Sequence, residues 1–197
     1  MTEFLQHIIN GLGLGAIYAL IALGYTMVFG ILQLINFAHG DVYMLGAFIG
    51  YYAGRYLGLA NVPGLGSLGA ALALAMLGAA VAGYLIERFA YRPLRKSPRI
   101  NVLITAVGVS LLLEFGGQII FGADPKFFPT LYVPGEPFMI GTLQMNRLQL
   151  LVLAISLVLM TGLRTIIFKT KTGRAMRAVS FNHDNAALMG IPVDRII

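Results

Sequence analysis

Three features of the sequence predict an all-α, polytopic membrane helix bundle. Of its 197 residues, 58% are hydrophobic and only 11% are charged. Soluble domains carry about 25% charged residues, so this chain cannot cover a water-facing surface with ionised groups. The apolar residues fall in runs close to the roughly 20 residues that a helix rising about 1.5 Å per residue needs to cross a bilayer. The 14 Lys and Arg gather between those runs, five from Arg88 to Arg99 and six from Arg164 to Arg195, as cytoplasmic loops do.

About five spans are expected. The first runs from Ile8 to about Phe29. Met1-Thr2-Glu3-Phe4 before it has no basic region and no small-residue cleavage site, so this run reads as a retained span and not as a signal peptide. The second, Asp41 or Val42 to about Tyr56, is short in apolar length. The third covers Leu68 to Ile86, the fourth Ile100 to Phe121 and the fifth Leu148 to Phe168. Residues 1–197 read as one transmembrane domain, with 168–197 as a cytoplasmic segment.

Loop charge sets orientation. The Arg88–Arg99 stretch and everything after Phe168 are expected in the cytoplasm. Gly122 to Asn146, with Lys126 as its only basic residue and Pro125, Pro129, Pro134 and Pro137, is expected outside, as is the uncharged Gly58–Ser67 connection. The side of the N-terminus stays open. The basic clusters abut apolar runs, so the net charge of +6 points to an anionic membrane surface and not to nucleic acid. Small residues at four-residue spacing, Gly11, Gly15 and Ala19, Gly69 and Ala73, and Ala79 and Gly83, mark faces where helix backbones can approach closely in lipid.

Polar residues within apolar sequence are the candidate functional groups. Ile35-Asn36-Phe37-Ala38-His39-Gly40-Asp41-Val42 interrupts the hydrophobic sequence without a Lys or Arg to mark a loop. One reading is a short cytoplasmic turn, with Gly40 breaking the first helix and Asp41 capping the next. The other is a discontinuous helix whose freed backbone groups line a path at membrane depth, a device of transporters. Glu114 lies inside the fourth span and shares one helix face with Ser110 and Gln118. An ionisable residue there costs at least about 2.5–3.5 kcal/mol, so this face serves either a wet pathway or a structural pairing between helices. Asn36, His39, Asp41, Ser110 and Glu114 are the expected pathway residues.

Several chemistries find no support. There is no Cys, hence no disulfide frame or thiolate site. His7, His39 and His183 are scattered away from carboxylates at ligand spacing, and no metal is expected. There is no H-E-x-x-H, G-x-S-x-G or phosphate-loop motif. The chain is therefore expected not to be an enzyme, and nucleotide hydrolysis must come from another polypeptide. Gly11-Leu12-Gly13-Leu14-Gly15-Ala16 matches a dinucleotide fingerprint but lacks the strand before it.

The tail is patterned, not a featureless basic stretch. Ala175, Ala178 and Val179, then Ala186, Leu188 and Met189, predict two short helices separated by Asn182–Asn185. Asp184 is placed to cap the second, and Gly190 and Pro192 end it.

Gly173-Arg174-Ala175-Met176-Arg177-Ala178 with Ala186-Ala187-Leu188-Met189-Gly190-Ile191 resembles the cytoplasmic loop of branched-chain amino acid ABC transporter permeases. Asn36-Phe37-Ala38-His39-Gly40-Asp41 and Tyr91-Arg92-Pro93-Leu94-Arg95 resemble two further motifs of that family. The resemblance runs from Ile9 to the end. It implies the membrane subunit of a binding-protein-dependent importer of branched-chain or related amino acids in the cell inner membrane. The implied partners are a second permease subunit, two cytoplasmic ATPase subunits, and a periplasmic or lipid-anchored amino acid-binding protein. No cofactor is implied for this chain, since ATP would be bound by the partner subunits. The tail would be the ATPase-coupling loop, related to the E-A-A-x-x-x-G pattern, with Asn185 in place of Glu and Gly190 one position early. Its implied coupling residues are Gly173, Arg174, Arg177, Asn182, Asp184, Ala186, Ala187 and Gly190. Family members continue through further spans after this loop, which implies a C-terminally truncated chain. The alternatives are a permease for another small solute such as urea, an amide or a sugar, or an ATP-independent channel or secondary transporter.

Overall fold

The computed structural model describes residues 2–32, 35–95, 97–133, 135–140 and 143–196. Helices dominate: α1 (Thr2–Leu32), α2 (His39–Tyr56), α3 (Leu65–Ile86), α4 (Arg99–Phe121), α5 (Arg147–Lys169), α6 (Lys171–Phe181), α7 (His183–Leu188) and α8 (Val193–Ile196). The chain divides into two compact units, one of residues 1–33 with 134–197 and one of residues 34–133.

In the unit of residues 34–133, α2 lies along α3 because both present small side chains. Gly46, Gly50 and Gly54 recur every four residues on α2 and are buried. A Cβ at Gly46 would stand 3.6 Å from the Ala79 Cβ, and one at Gly50 would stand 3.7 Å from the Ala75 Cβ. Aromatic rings join α2 to the end of α4, with Phe48 stacked on Phe121 at 4.4 Å between centroids. Beyond Ile86, α3 widens into a π turn, Glu87–Tyr91, then tightens into a 3₁₀ turn, Arg92–Leu94. Tyr91 packs there with Val102 and Ala106 of α4, and Arg95 forms an ion pair with Glu87. The segment after α4 folds back over α2: Gly64 N–H donates to the Leu131 carbonyl at 2.8 Å, and Leu131 is buried.

In the other unit, α1 packs against α5 and α6. Two short antiparallel strands, β1 (Phe138–Ile140) and β2 (Leu143–Met145), pair Phe138 with Met145 within the Pro-rich stretch expected to be loop. The Gln6 side-chain amide pairs with β2 like a further strand, donating to the Gln144 carbonyl at 2.7 Å and accepting the Gln144 N–H at 3.0 Å. Asn146 and Gln149 form a capping box at the start of α5, and Gln149 Nε2 donates to Asn10 Oδ1 at 3.1 Å. These amides tie the first turns of α1 and α5 together.

Two expectations are corrected. Among the described residues, four helices and not five are long and apolar enough to cross a membrane: Glu3–Ile31, Leu65–Leu94, Ile100–Phe121 and Arg147–Lys169. The expected second span is helical, but its 18 residues include Asp41, Arg55 and four tyrosines (Tyr43, Tyr51, Tyr52 and Tyr56), which lower its hydropathy. The close-approach glycines also differ. Cβ atoms at Gly11, Gly15, Gly69 and Gly83 would meet nothing within 4 Å, and of the small residues singled out, Ala79 meets a glycine, on α2. The glycine stripe used is Gly46–Gly50–Gly54.

Candidate functional site

Two regions hold the candidate residues, one in each unit. In residues 34–133, the Asn36–Asp41 stretch turns into α2 over a single helical turn, with His39 N–H donating to the Asn36 carbonyl at 3.3 Å and Val42 N–H to the Ala38 carbonyl at 3.0 Å. Gly40 does not break a helix and Asp41 does not cap one. Both lie inside the first turn of α2, whose N-cap is Ala38 without a side-chain bond. Asp41 gains from the helix dipole at that position, and its carboxylate also accepts a 2.5 Å hydrogen bond from the Ser110 hydroxyl on α4. Tyr91 Oη donates to Asn36 Oδ1 at 2.7 Å.

Asn36, His39, Asp41 and Ser110 therefore gather around the start of α2, bridged to α4 and to the π turn of α3. Glu114 sits one turn along α4 from Ser110 and is exposed. Tyr91, noted above only within a family-like motif and not among the expected pathway residues, is 6% exposed. A buried tyrosine needs a partner for its hydroxyl, and the unexplained Asn36 was available. The cluster offers one carboxylate, an amide, an imidazole and two hydroxyls, with Tyr91 bonded to Asn36 and Ser110 to Asp41. No group of three metal-ligating side chains occurs among the described residues.

The second region is the tail. Thr170 caps α6 by accepting the Gly173 N–H. Asn182, not Asp184, caps α7, its side chain accepting the Asn185 N–H at 2.9 Å; the Asp184 side chain lies outside the described ones. Asn182 takes the cap because its backbone is the extended one (φ −160°, ψ 117°). Gly190, at φ 79°, ends α7 in a Schellman motif: Gly190 N–H donates to the Ala187 carbonyl at 3.0 Å and Ile191 N–H to the Ala186 carbonyl at 3.1 Å.

Exposure divides the expected coupling residues. Arg174, Arg177, Asn182, Ala187 and Gly190 are exposed, whereas Gly173 and Ala186 are buried. Beside the exposed ones stand three large apolar side chains the sequence reading did not single out as a surface: Phe181, Leu188 and Met189, exposed to 89%, 85% and 82%.

Among the described residues, four helices long and apolar enough to cross a membrane define the class: a multi-pass membrane protein. Residues 7–197 match the model of the family described as branched-chain amino acid transport system, permease component, and the chain belongs to that family. It is 41% identical over 99% of its length to the high-affinity branched-chain amino acid transport system permease protein BraD of Pseudomonas aeruginosa, of which it covers 65%. It is 36% identical to the permease protein LivH of Salmonella typhimurium and to that of Escherichia coli, in each case over 98% of this chain and 64% of the relative. The chain thus spans just under two thirds of the length of these relatives. No solved structure matches it.

Proposed function

We propose that this chain is the permease component of an ABC importer that moves branched-chain amino acids across the inner membrane, driven by separate ATPase subunits. Its relatives are named for that system, and three motifs spread from Asn36 to Ile191 carry the resemblance. The observation that carries the coupling part is the tail: a capped helix pair presenting Phe181, Leu188 and Met189 almost wholly uncovered. Large apolar side chains gathered on a polar, basic segment are the composition of a protein contact.

In this reading the segment after Phe168 is cytoplasmic, and Arg174, Asn182, Asp184, Ala187 and Gly190 join Phe181, Leu188 and Met189 in meeting an ATPase. ATP and any metal belong to that partner; this chain needs no cofactor. A second permease subunit completes the path, and an external amino acid-binding protein delivers the solute. Asn36, His39, Asp41, Ser110 and Glu114 lie nearest the path.

The test is co-purification of the tagged permease with its ATPase from membranes, together with ATP-dependent leucine uptake in vesicles. Phe181→Asp combined with Leu188→Asp is expected to abolish both while the permease still accumulates in the membrane. An ATPase retained at native level by the double variant, or native uptake that proceeds without ATP, overturns the reading.

A further inference from the structure

We infer that Thr170, Gly173 and Arg177 form a rigid elbow between α5 and α6, acting within the chain as positioning residues and not as contacts to a partner. This deepens the importer reading and rests on it: motion received by α6 and α7 would pass to α5 without loss at a joint.

The junction is bonded from both sides. Thr170, in extended backbone (φ −95°, ψ 161°), serves two helices at once. Its hydroxyl donates to the Ile166 carbonyl at 2.5 Å, closing α5, and accepts the Gly173 N–H at 3.0 Å, opening α6. Gly173 is buried directly against the end of α5, and a Cβ there would lie 2.2 Å from the carbonyl oxygens of both Ile166 and Ile167. Those obstacles are backbone atoms and cannot rotate aside, so only glycine permits the approach. One turn along α6, the Arg177 guanidinium reaches back to donate to the Ile167 carbonyl and lies 5.2 Å from the centroid of the Phe168 ring.

The last carbonyls of a helix lack partners within it, and a cation there is favoured by the helix dipole. Arg177 and Thr170 supply both needs from the next element. Hinges are built the other way, from few contacts and open backbone bonds. On its other flank α6 meets the end of α1, where Thr26, Met27, Gly30 and Ile31 face Met176, Arg177 and Ser180 across a cleft of about 150 Å³. The arm so held, α5, has 23 residues and is roughly 35 Å long at about 1.5 Å per residue.

The elbow is tested by spin labels at Val158→Cys on α5 and Asn185→Cys on α7 in the purified permease, read by pulsed electron resonance with and without the ATPase and a non-hydrolysable ATP analogue. A single narrow distance, unchanged by nucleotide, is expected for the native elbow. Gly173→Ala and Arg177→Ala should broaden it and lower the amino acid moved per ATP hydrolysed several-fold while the ATPase still co-purifies, and Arg177→Lys should restore part of the coupling. A distribution already broad in the native chain, a shift with nucleotide larger than its width, or variants that keep both narrow distance and native coupling would overturn the elbow. The distance in the permease alone needs no partner. An ATPase that fails to co-purify with the native chain thus removes the importer reading and leaves the elbow to be decided by the labels.

Discussion

A hydroxyl on a buried ring and one on a small side chain hold the start of α2 in place. Tyr91 donates to Asn36 and Ser110 to Asp41, at 2.7 and 2.5 Å. Removing a donor leaves its acceptor short of a partner, which costs about 1–3 kcal/mol and falls at the upper end for a charged acceptor. Ser110→Ala should therefore lower thermal stability in detergent more than Tyr91→Phe does, each by about 1–3 kcal/mol, as followed by circular dichroism. Equal melting of all three proteins would mean that neither bond holds the native fold. Asn36, Asp41 and Ser110 could be picked from the sequence because polar groups in an apolar chain demand an explanation. Tyr91 could not, because a tyrosine at the end of a span, next to arginines, reads equally well as an interfacial anchor.

Single helices were legible to within a few residues, but their pairing was not. The apolar run from Ile100 to Phe121 maps onto α4, and Leu148 to Phe168 onto α5, because hydropathy over a span is a local property. Which small-residue stripe meets another helix depends on the partner, and α1 carries as good a stripe as α2. The close packing lies at Gly54, where a Cβ would stand 2.8 Å from Pro129 Cγ and 3.0 Å from Leu131 Cδ2. Gly54→Ala should cost about 1–3 kcal/mol through overpacking, whereas Gly11→Ala, with nothing within 4 Å, should leave the melting temperature nearly unchanged. A reversed order in a thermal-shift assay would refute the packing of Pro129 and Leu131 on α2. The hairpin at Phe138–Met145 escaped sequence reading because three-residue strands are too short to show alternation, and the Gln6 amide that pairs with β2 is more than a hundred residues away.

The proposed transport belongs to the whole molecule, and so does the test of its path. Asp41 is bonded to Ser110, whereas Glu114 is exposed on a helix of mean hydropathy 1.8. With the path proposed above, Asp41→Ala should reduce both leucine uptake and stability, while Glu114→Ala should reduce uptake with the melting temperature held. Uptake unchanged in both variants removes them from the path. The composition of the two units has a consequence in time. Residues 34–133 form a unit of their own, so every partner in that unit is present once Val133 is made. The first helix belongs with residues 134–197, so Gln6 and Asn10 must wait for β2 and α5 while more than a hundred residues are added. At ~5–20 residues per second, roughly 5–20 s pass before β2 and α5 can meet the Gln6 and Asn10 amides, which stay open to whatever insertion factor is at hand.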